Sequence, residues 1–587
     1  MKQQVEYLLD HFREEVQRYP ASIAIEDGTK SPDESTWPKV SYAELDALSD
    51  AWSRQLAVDG VGPGCIVPLI STRSIAMVAA ILAILKLRAA YVPIDADSWG
   101  KDRINGVLAR ISPKIVVSTA ACLEGGHPYP VHYFEQPGIP NLALGNDISN
   151  PSHSRRLCYS GDVLAYIIFT SGTTGQPKGV MVGLESISRY VKEGGDLPFN
   201  FNTRHGTRVL LICSIAFDVC AGVIFSTICN GGTLILADPP TLEAAAKTCH
   251  ILPLTPSILS SLDPEAGFDR VEKIFLGGEA PPEPLIQAWY SPHRRVYNSY
   301  GPTETTCTVL MRELVAGLPI TIGYPIPYST VSLLDAEGLE SLEGEICISG
   351  SGLALGYFGD PERTASSFVK LNGQKLYRTG DYGKHTKNGI RFCGRKDSMA
   401  KNRGFLINLE GDVEPALLSR SEGRPPRISL SQRPSFMVPD IVYSLDTFPT
   451  TVNGKISRQS LVQIHEASQD ADDSFLEVGL SGIETIRRAI SYVLQQPMNQ
   501  VTNTSSFRHL GGNSLAAVML ASGIRKAGFA ISVGQILLLD TVDKMAGALK
   551  EAGNAANPPP QRQNSLDVAW ARQFPGPTSL GVKASHL

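Results

Sequence analysis

The residues with the densest capacity for chemistry lie between Tyr166 and Val180, in the run YIIFTSGTTGQPKGV. An apolar stretch ends at Thr170; Ser171, Gly172, Thr173, Thr174 and Gly175 follow, and then Lys178. Glycines let a backbone approach a ligand closely, and clustered hydroxyl and N–H groups form a nest for anionic oxygens. Lys178 adds a positive charge, so the chemistry this loop fits is phosphate binding. It is not the P-loop pattern, which sets its Lys between Gly and Ser or Thr; here Lys178 stands between Pro177 and Gly179. A plain Ser/Thr/Gly surface loop is the competing reading for any shorter match.

Other residues carry chemistry only in context. Ser514 sits in FRHLGGNSLAAVML, where two glycines place it at the start of a helix with apolar Leu515, Val518 and Met519. A helix N-terminus suits a phosphodiester on that serine, although an ordinary serine N-cap has the same pattern. Asp218 follows the apolar run LLICSIAF, Glu304 stands in GPTE, Asp381 follows Gly380, and Lys455 follows Asn453-Gly454. Taken alone these are a helix cap, a turn carboxylate, a turn residue and a hairpin flank.

The elements that must position them follow from periodicity. Residues 40–310 alternate helical and strand-like stretches. Met77–Leu87 reads as a buried helix; Tyr91–Ile94, Lys114–Ser118, Val163–Thr170, Arg208–Cys213, Thr233–Ala237, Lys273–Leu276 and Arg295–Tyr300 read as buried strands. That predicts an α/β domain with a largely parallel sheet and sites at the strand ends. From 318 to 395, closely spaced strands with glycine turns predict a β-rich module. Residues 475–550 read as a small helical domain, and 551–587, rich in Asn, Pro, Gln and Gly, as a disordered tail.

Composition excludes several classes. With 43% hydrophobic and 19% charged residues and a net charge of −5, nothing favours nucleic acid or an anionic membrane. No stretch is long enough to span a bilayer and the N-terminus lacks a signal-like apolar core, which predicts a cytoplasmic protein. The ten cysteines form no CxxC pair and read as buried thiols in a reducing compartment.

The loop is joined by further motifs: FDVC at 217–220, GGEAPP at 277–282, NSYGPTETT at 298–306, GEICISGSGLALGYFGDPERTASSF at 344–368, YRTGDYG at 377–383, GRKD at 394–397 and NGKISR at 453–458. In this order they resemble the adenylation domain of nonribosomal peptide synthetases, of the adenylate-forming superfamily, over nearly the whole chain. GGNSL resembles the peptidyl-carrier motif.

The resemblance implies a large N-terminal adenylation part at 1–396, a small α+β subdomain at 397–465 and a carrier domain at 475–550. It implies ATP, Mg²⁺ and 4′-phosphopantetheine. Thr170–Gly175 and Lys178 would hold the β- and γ-phosphates. Tyr300 would stack on adenine, with Gly278, Asn298 and Thr305 in the same nucleotide set. Glu304 would hold Mg²⁺, and Asp381 the ribose hydroxyls, assisted by Arg395. Lys455 would bridge the substrate carboxylate and α-phosphate, and Lys401, in the same mobile subdomain, would be the second catalytic lysine. Asp218 would pair with the α-ammonium of an amino acid. The remaining pocket positions fall near Val219, Gly222, Pro253, Phe275, Gly277, Ser299, Cys307 and Thr308. Gly222 and Gly277 leave room and Phe275 offers a wall, which favours a large apolar or aromatic side chain. Ser514 would carry the phosphopantetheine whose thiol takes the aminoacyl group as a thioester.

Two departures stand out. KNRGFLINLEGDVE (401–414) has Leu406 where the family carries a second basic residue and Asn408 where it carries an acidic one, while Lys401, Arg403 and Gly404 are kept. Between Glu414 and PSFMVPD at 434–440 the chain is shorter than in relatives, and about 64 residues from Asp397 to Ser460 make a marginal core. With no condensation domain ahead and no thioesterase or reductase behind, the expected partners are an amino acid, a phosphopantetheinyl transferase and a separate downstream enzyme. The alternatives are an aryl- or acyl-CoA ligase, or a catalytically impaired carrier or scaffold. Ser514→Ala is expected to abolish covalent aminoacyl loading, read by intact-protein mass, while amino-acid-dependent ATP–pyrophosphate exchange stays within about two-fold of the parent; stable loading of that variant contradicts the assignment.

Overall fold

The computed structural model of the chain describes residues 8–119, 129–134, 163–170, 177–192, 205–395, 399–402 and 405–408. Within 481–551 it describes 481–494, 496, 498–507, 510, 517, 520–521, 523–524, 527–531, 535–536 and 539–551. The strand-like stretches of the first 310 residues do not form one sheet. They divide between a seven-stranded and a nine-stranded sheet, each with a parallel centre and antiparallel edge strands. Periodicity identifies strands but not their partners, so this division is not readable from the pattern.

The seven-stranded sheet has the strands Ile66–Ser71, Ala90–Asp95, Val116–Ser118, Val131–Tyr133 and Leu164–Thr170 in parallel. Lys178–Gly183 and then Gly356–Tyr357 add antiparallel to the last of these. Thr170 and Lys178 are direct partners in that ladder, at the two ends of the glycine-rich stretch. The run IAMVAAILAILK forms a helix, Ile75–Lys86, apolar on every face, and all of Ile75–Leu85 is buried. Ser74 caps it by accepting from the Met77 N–H at 3.1 Å. At its end, Lys86 Nζ donates at 2.6 Å to Asp46 and to Asp50 of the helix Tyr42–Val58.

The nine-stranded sheet carries Ile23–Asp27, Thr233–Leu236, Arg208–Leu211, Ile251–Leu254, Lys273–Gly277 and Arg295–Tyr300 in parallel order. One face packs Ile274, Leu276 and Val296 against Trp289 and Phe268, whose rings meet edge-on at 5.1 Å. On the other face Phe275 stacks on its register partner Tyr297 at 4.9 Å and 14°.

Residues 329–395 form the antiparallel module expected from the glycine turns. Its strands are Ser329–Leu334, Glu343–Gly350, Phe368–Leu371, Gln374–Thr386 and Gly389–Arg395. The module is sewn to the nine-stranded sheet at one seam. Ile390 N–H donates to Gly323 O at 2.8 Å and Ile322 N–H to Ile390 O at 2.9 Å. Thr321 Oγ1 donates to Asn388 O at 2.7 Å, and the buried Arg312 guanidinium reaches the same carbonyl. Gly323 has φ +84°, and a Cβ there would lie 2.1 Å from Met311 O.

Beyond the module, Met399–Asn402 pairs antiparallel with Phe405–Asn408. The helix Gly482–Val493 contributes Ile486, Ala489 and Ile490 to a separate small core with Phe507, Ala517, Leu520, Ala521, Ile524 and Met545. The spacing of Ala517, Leu520, Ala521 and Ile524 is that of one buried helical face.

Two expectations are corrected or bounded here. Cys220, Cys229, Cys249, Cys307 and Cys347 are buried, but Cys65 and Cys213 are only part-buried and Cys393 is exposed on an edge strand. Among the described residues, no helix is long and apolar enough to cross a membrane.

Gly323→Ala is expected to lower the thermal midpoint by several degrees, because a left-handed backbone costs about 1–3 kcal/mol and the contact with a carbonyl adds to it. Gly317→Ala, also at positive φ but with no neighbour within 4 Å of the added carbon, is the control and is expected to cost less. Equal losses in calorimetry contradict the role of the seam.

Candidate active site

The ends of the strands Leu164–Thr170 and Arg295–Tyr300 bring the expected residues into three neighbouring clusters. The first joins the two large sheets. Lys178, at the start of the strand returning from the glycine-rich loop, places Nζ 2.5 Å from Glu304 Oε1. Tyr357 closes the cluster: its hydroxyl donates to the same Glu304 oxygen at 2.8 Å and accepts from Lys178 Nζ at 3.2 Å. Glu304 is 4% exposed. Burial by itself opposes both charges, raising the carboxyl and lowering the ammonium pKa. Their mutual attraction, with the hydrogen bond between them, outweighs it, so Glu304 is held below and Lys178 above its ordinary value.

Glu304 lies in the short 3-10 turn Thr303–Thr305, which ends in an uncommon way. Thr306, not glycine, has φ +76° and ψ −57°, and Cys307 N–H donates to Thr305 O at 3.0 Å. That is a γ-turn of the strained hand. Thr306 is held there by its side chain, which donates to Gly352 O at 2.7 Å. The turn aims Glu304 at Lys178 on one side and brings Cys307 toward Asp218 and Gly222 on the other. Strain of this kind concentrates at functional sites.

The second cluster surrounds Asp381, in the antiparallel module. Its carboxylate accepts from Tyr300 Oη at 2.5 Å and from Arg395 Nη1 at 2.6 Å. The β-register explains the second contact, since Asp381 and Arg395 are direct partners. Tyr377 lies between the two clusters: its hydroxyl is bonded to the Tyr357 side chain and feels the charges of Glu304 and Arg395. Asn298, on the same strand as Tyr300, donates to Thr321 O at 2.8 Å, at the module seam.

The third cluster begins at Asp218, the first residue of the helix Asp218–Ile228 and 8% exposed. Cys307 faces it: burial, reinforced by the negative charge of Asp218, pushes the thiol up to about 12, so it stays neutral. Gly222 lies one turn along the same helix. Gly277 ends its strand beside Ser299, and Gly278 follows with φ +82°. Phe275 and Tyr297 share the face of the sheet on which Gly277 and Ser299 lie. Val219 is 38% exposed, at the open end of the helix. Thr305 is buried in the turn beside Glu304.

Tyr357, Tyr377 and Tyr190 were not singled out from the sequence. Tyr357 lies in GYFGDPE, whose glycines and acidic residues draw attention away from the one aromatic that matters. The ladder in which Gly356–Tyr357 pairs with Val180–Met181 is what places it. Other expectations lie outside the described residues: Ser171, Gly172, Thr173, Thr174, Gly175, Lys455 and Ser514. Of Lys401 only the backbone is described, paired with Leu406 in the hairpin. The shortened stretch from Glu414 to 434–440 likewise lies outside them.

The family model for AMP-binding enzymes matches residues 12–358, and that for the phosphopantetheine attachment site matches 484–549. Nonribosomal peptide synthetase hasD of Aspergillus fumigatus is 61% identical over 567 residues, covering 93% of this chain and 25% of that protein. Nonribosomal peptide synthetase sirP of Leptosphaeria maculans is 41% identical, covering 91% and 25%. The chain therefore spans about a quarter of the length of these curated relatives. Among solved structures, holo-PA1221, described as an NRPS protein containing adenylation and PCP domains, superposes with a TM-score of 0.70. That match, at 24% identity, covers 92% of this chain and 96% of the other and attests the fold. The ordered motifs, the two-sheet fold with its antiparallel module and both family matches agree: the chain belongs to the AMP-binding enzymes, in the adenylation-and-carrier arrangement of nonribosomal peptide synthetases.

Proposed function

We propose that this chain uses ATP to adenylate the carboxylate of an α-amino acid and passes the aminoacyl group to a phosphopantetheine thiol on Ser514. The observation that carries the reading is the meeting of a buried cation, a buried carboxylate and the Asp381 cluster beside an acid-headed pocket.

Each cluster has one task. Lys178, with Thr170–Gly175, takes the β- and γ-phosphates. Asp381, held by Arg395 and Tyr300, accepts from the ribose hydroxyls, and the Tyr300 ring packs on adenine, with Gly278, Asn298 and Thr305 shaping the surroundings. Asp218 pairs with the substrate ammonium, which supports an amino acid over an aryl or acyl acid. Val219, Gly222, Phe275, Gly277, Ser299 and Cys307 receive a side chain that is large and apolar or aromatic, because none of them offers a charge. A carboxylate oxygen attacks the α-phosphorus and the bond to pyrophosphate breaks, with Lys455 bridging the two anions. Lys401, in the same small subdomain, is the other catalytic lysine; in the second step the thiol attacks the acyl carbon, loses its proton and releases AMP.

Mg²⁺ fits the donors present. It binds with one or two carboxylates and substrate phosphates rather than in an all-protein cage. Glu304, beside Lys178, supplies one such oxygen. When bound, the ion screens phosphate charge. The reading places the adenylation part at 1–396, its small subdomain at 397–465, the carrier at 475–550 and a tail at 551–587. Its partners are a phosphopantetheinyl transferase and an enzyme or domain that takes the aminoacyl group onward.

Exchange assays over an amino-acid and aryl-acid panel, followed by intact mass of the phosphopantetheinylated protein, test the reading. Lys455→Ala is expected to lower amino-acid-dependent exchange at least about 100-fold while ATP binding is largely kept; parental exchange rates contradict the role.

Glu304→Gln leaves Lys178 charged and unpaired, a loss of about 3–5 kcal/mol for a buried pair. Because Glu304 is held below its ordinary value, its contribution is complete above the unfolded carboxyl pKa and fades as pH falls through the lowered folded value. Thermal melts of Glu304→Gln are therefore expected to lose part of the acid-side dependence seen in the parent, and Lys178→Met combined with Glu304→Gln to recover stability over the single change. An unchanged acid limb, or a double variant less stable than Glu304→Gln, contradicts the pairing.

A further inference from the structure

The pocket beyond Asp218 holds an aromatic residue that belongs to none of the positions read from the sequence. Gly222 lies four residues after Asp218 on the same helix, about 6 Å further along the axis and on the same face. A substrate tethered at Asp218 by its ammonium extends its side chain along that face. In the sequence, Gly222 reads as room for that side chain.

The structure fills the room. A Cβ at Gly222 would meet Cys307 Sγ, Tyr190 Cε1 and Tyr190 Oη, each at 3.2 Å. Tyr190 comes from the helix Leu184–Lys192, which directly follows the strand begun by Lys178. Its ring is braced edge-on by Tyr328, with centroids 6.0 Å apart. Tyr328 is itself tied by its hydroxyl to Thr308 O. The Tyr190 hydroxyl rests against the side chains of Cys307 and Thr308. Behind them Tyr166 is fully buried, near enough to feel Asp218, Cys307 and Tyr190 together. Tyr190 remains only part-buried.

We propose that Tyr190 closes the amino-acid side-chain pocket and sets the largest side chain it accepts, and that residue 222 is glycine so that this ring can lie against the helix. The proposal rests on the amino-acid-activating reading above and deepens it. The apparent openness at Gly222 is thus packing space for a protein ring, and the limit on the substrate is imposed from a helix that the pocket motifs do not include.

The test is ATP–pyrophosphate exchange with the full-length chain, over the proteinogenic amino acids and ring-extended analogues such as O-propargyl-tyrosine and 5-bromo-tryptophan. Tyr190→Ala is expected to raise kcat/KM for the longest side chains, relative to the parent's best substrate, by at least about ten-fold, the scale a few methylene-sized contacts give. Tyr190→Phe keeps the ring and is expected to keep the order of preference by size. Gly222→Ala pushes Tyr190 and Cys307 inward and is expected to penalise the largest accepted side chain more than smaller ones. A merely structural Tyr190 lowers all substrates by one factor, and that uniform loss, or an unchanged profile, overturns the proposal. Should Tyr190→Ala not fold, Tyr190→Leu and Gly222→Ala decide by the same ratio. Parental protein that exchanges with no amino acid defeats the underlying reading instead, so the two failures are distinguishable.

Discussion

Taking an ammonium and a carboxylate out of water costs several kcal/mol for each, and proximity with good hydrogen bonds is what offsets it. Lys178 and Glu304 meet that condition across the two large sheets, with the Tyr357 hydroxyl bonded to both. Lys178 belongs to the seven-stranded sheet and Glu304 follows a strand of the nine-stranded one, so the pair fixes how their ends face each other. On the proposed function the same two residues have separate ligands, phosphate for one and Mg²⁺ for the other. Paired with each other, the two charges are neutralised, which offsets their burial. On that proposal, nucleotide binding would exchange one set of ionic partners for another.

The third sheet enters through a carboxylate as well. Asp381 takes its orientation from Arg395, its register partner, and from Tyr300, which lies at the end of the nine-stranded sheet. The seam at Gly323 and Ile390 sets the distance over which that contact forms. Between the carboxylate clusters the chain passes through the strained turn at Thr306, held by one side-chain bond to Gly352 O. A single irregular turn thereby serves both the ionic cluster and the pocket, because Glu304 precedes it and Cys307 follows.

The pocket shows how a missing side chain differs from an empty space. A Cβ at Gly222 would meet Tyr190 and Cys307 at 3.2 Å, so the contribution of the glycine is to let two protein groups approach the helix. Gly277 differs, since a Cβ there would meet only Ser299 atoms at ordinary contact distance. The two glycines look alike in sequence and act on different neighbours.

Much of this was legible in the sequence. The apolar runs gave the strands Thr233–Leu236 and Leu164–Thr170 almost residue for residue, because buried parallel strands are largely apolar. The motif spacing brought out Lys178, Asp218, Glu304, Asp381 and Arg395, since glycines, hydroxyls and charges at fixed offsets are local features. Composition and length bounded the rest. What only the tertiary structure decided is which strands share a sheet, that Lys178 and Glu304 are partners 126 residues apart, that Tyr357 bonds both of them, and that Tyr190 packs against Gly222. Those contacts are set by register and packing between segments remote in the chain, and an aromatic residue reads the same in sequence whether it fills a core or closes a pocket.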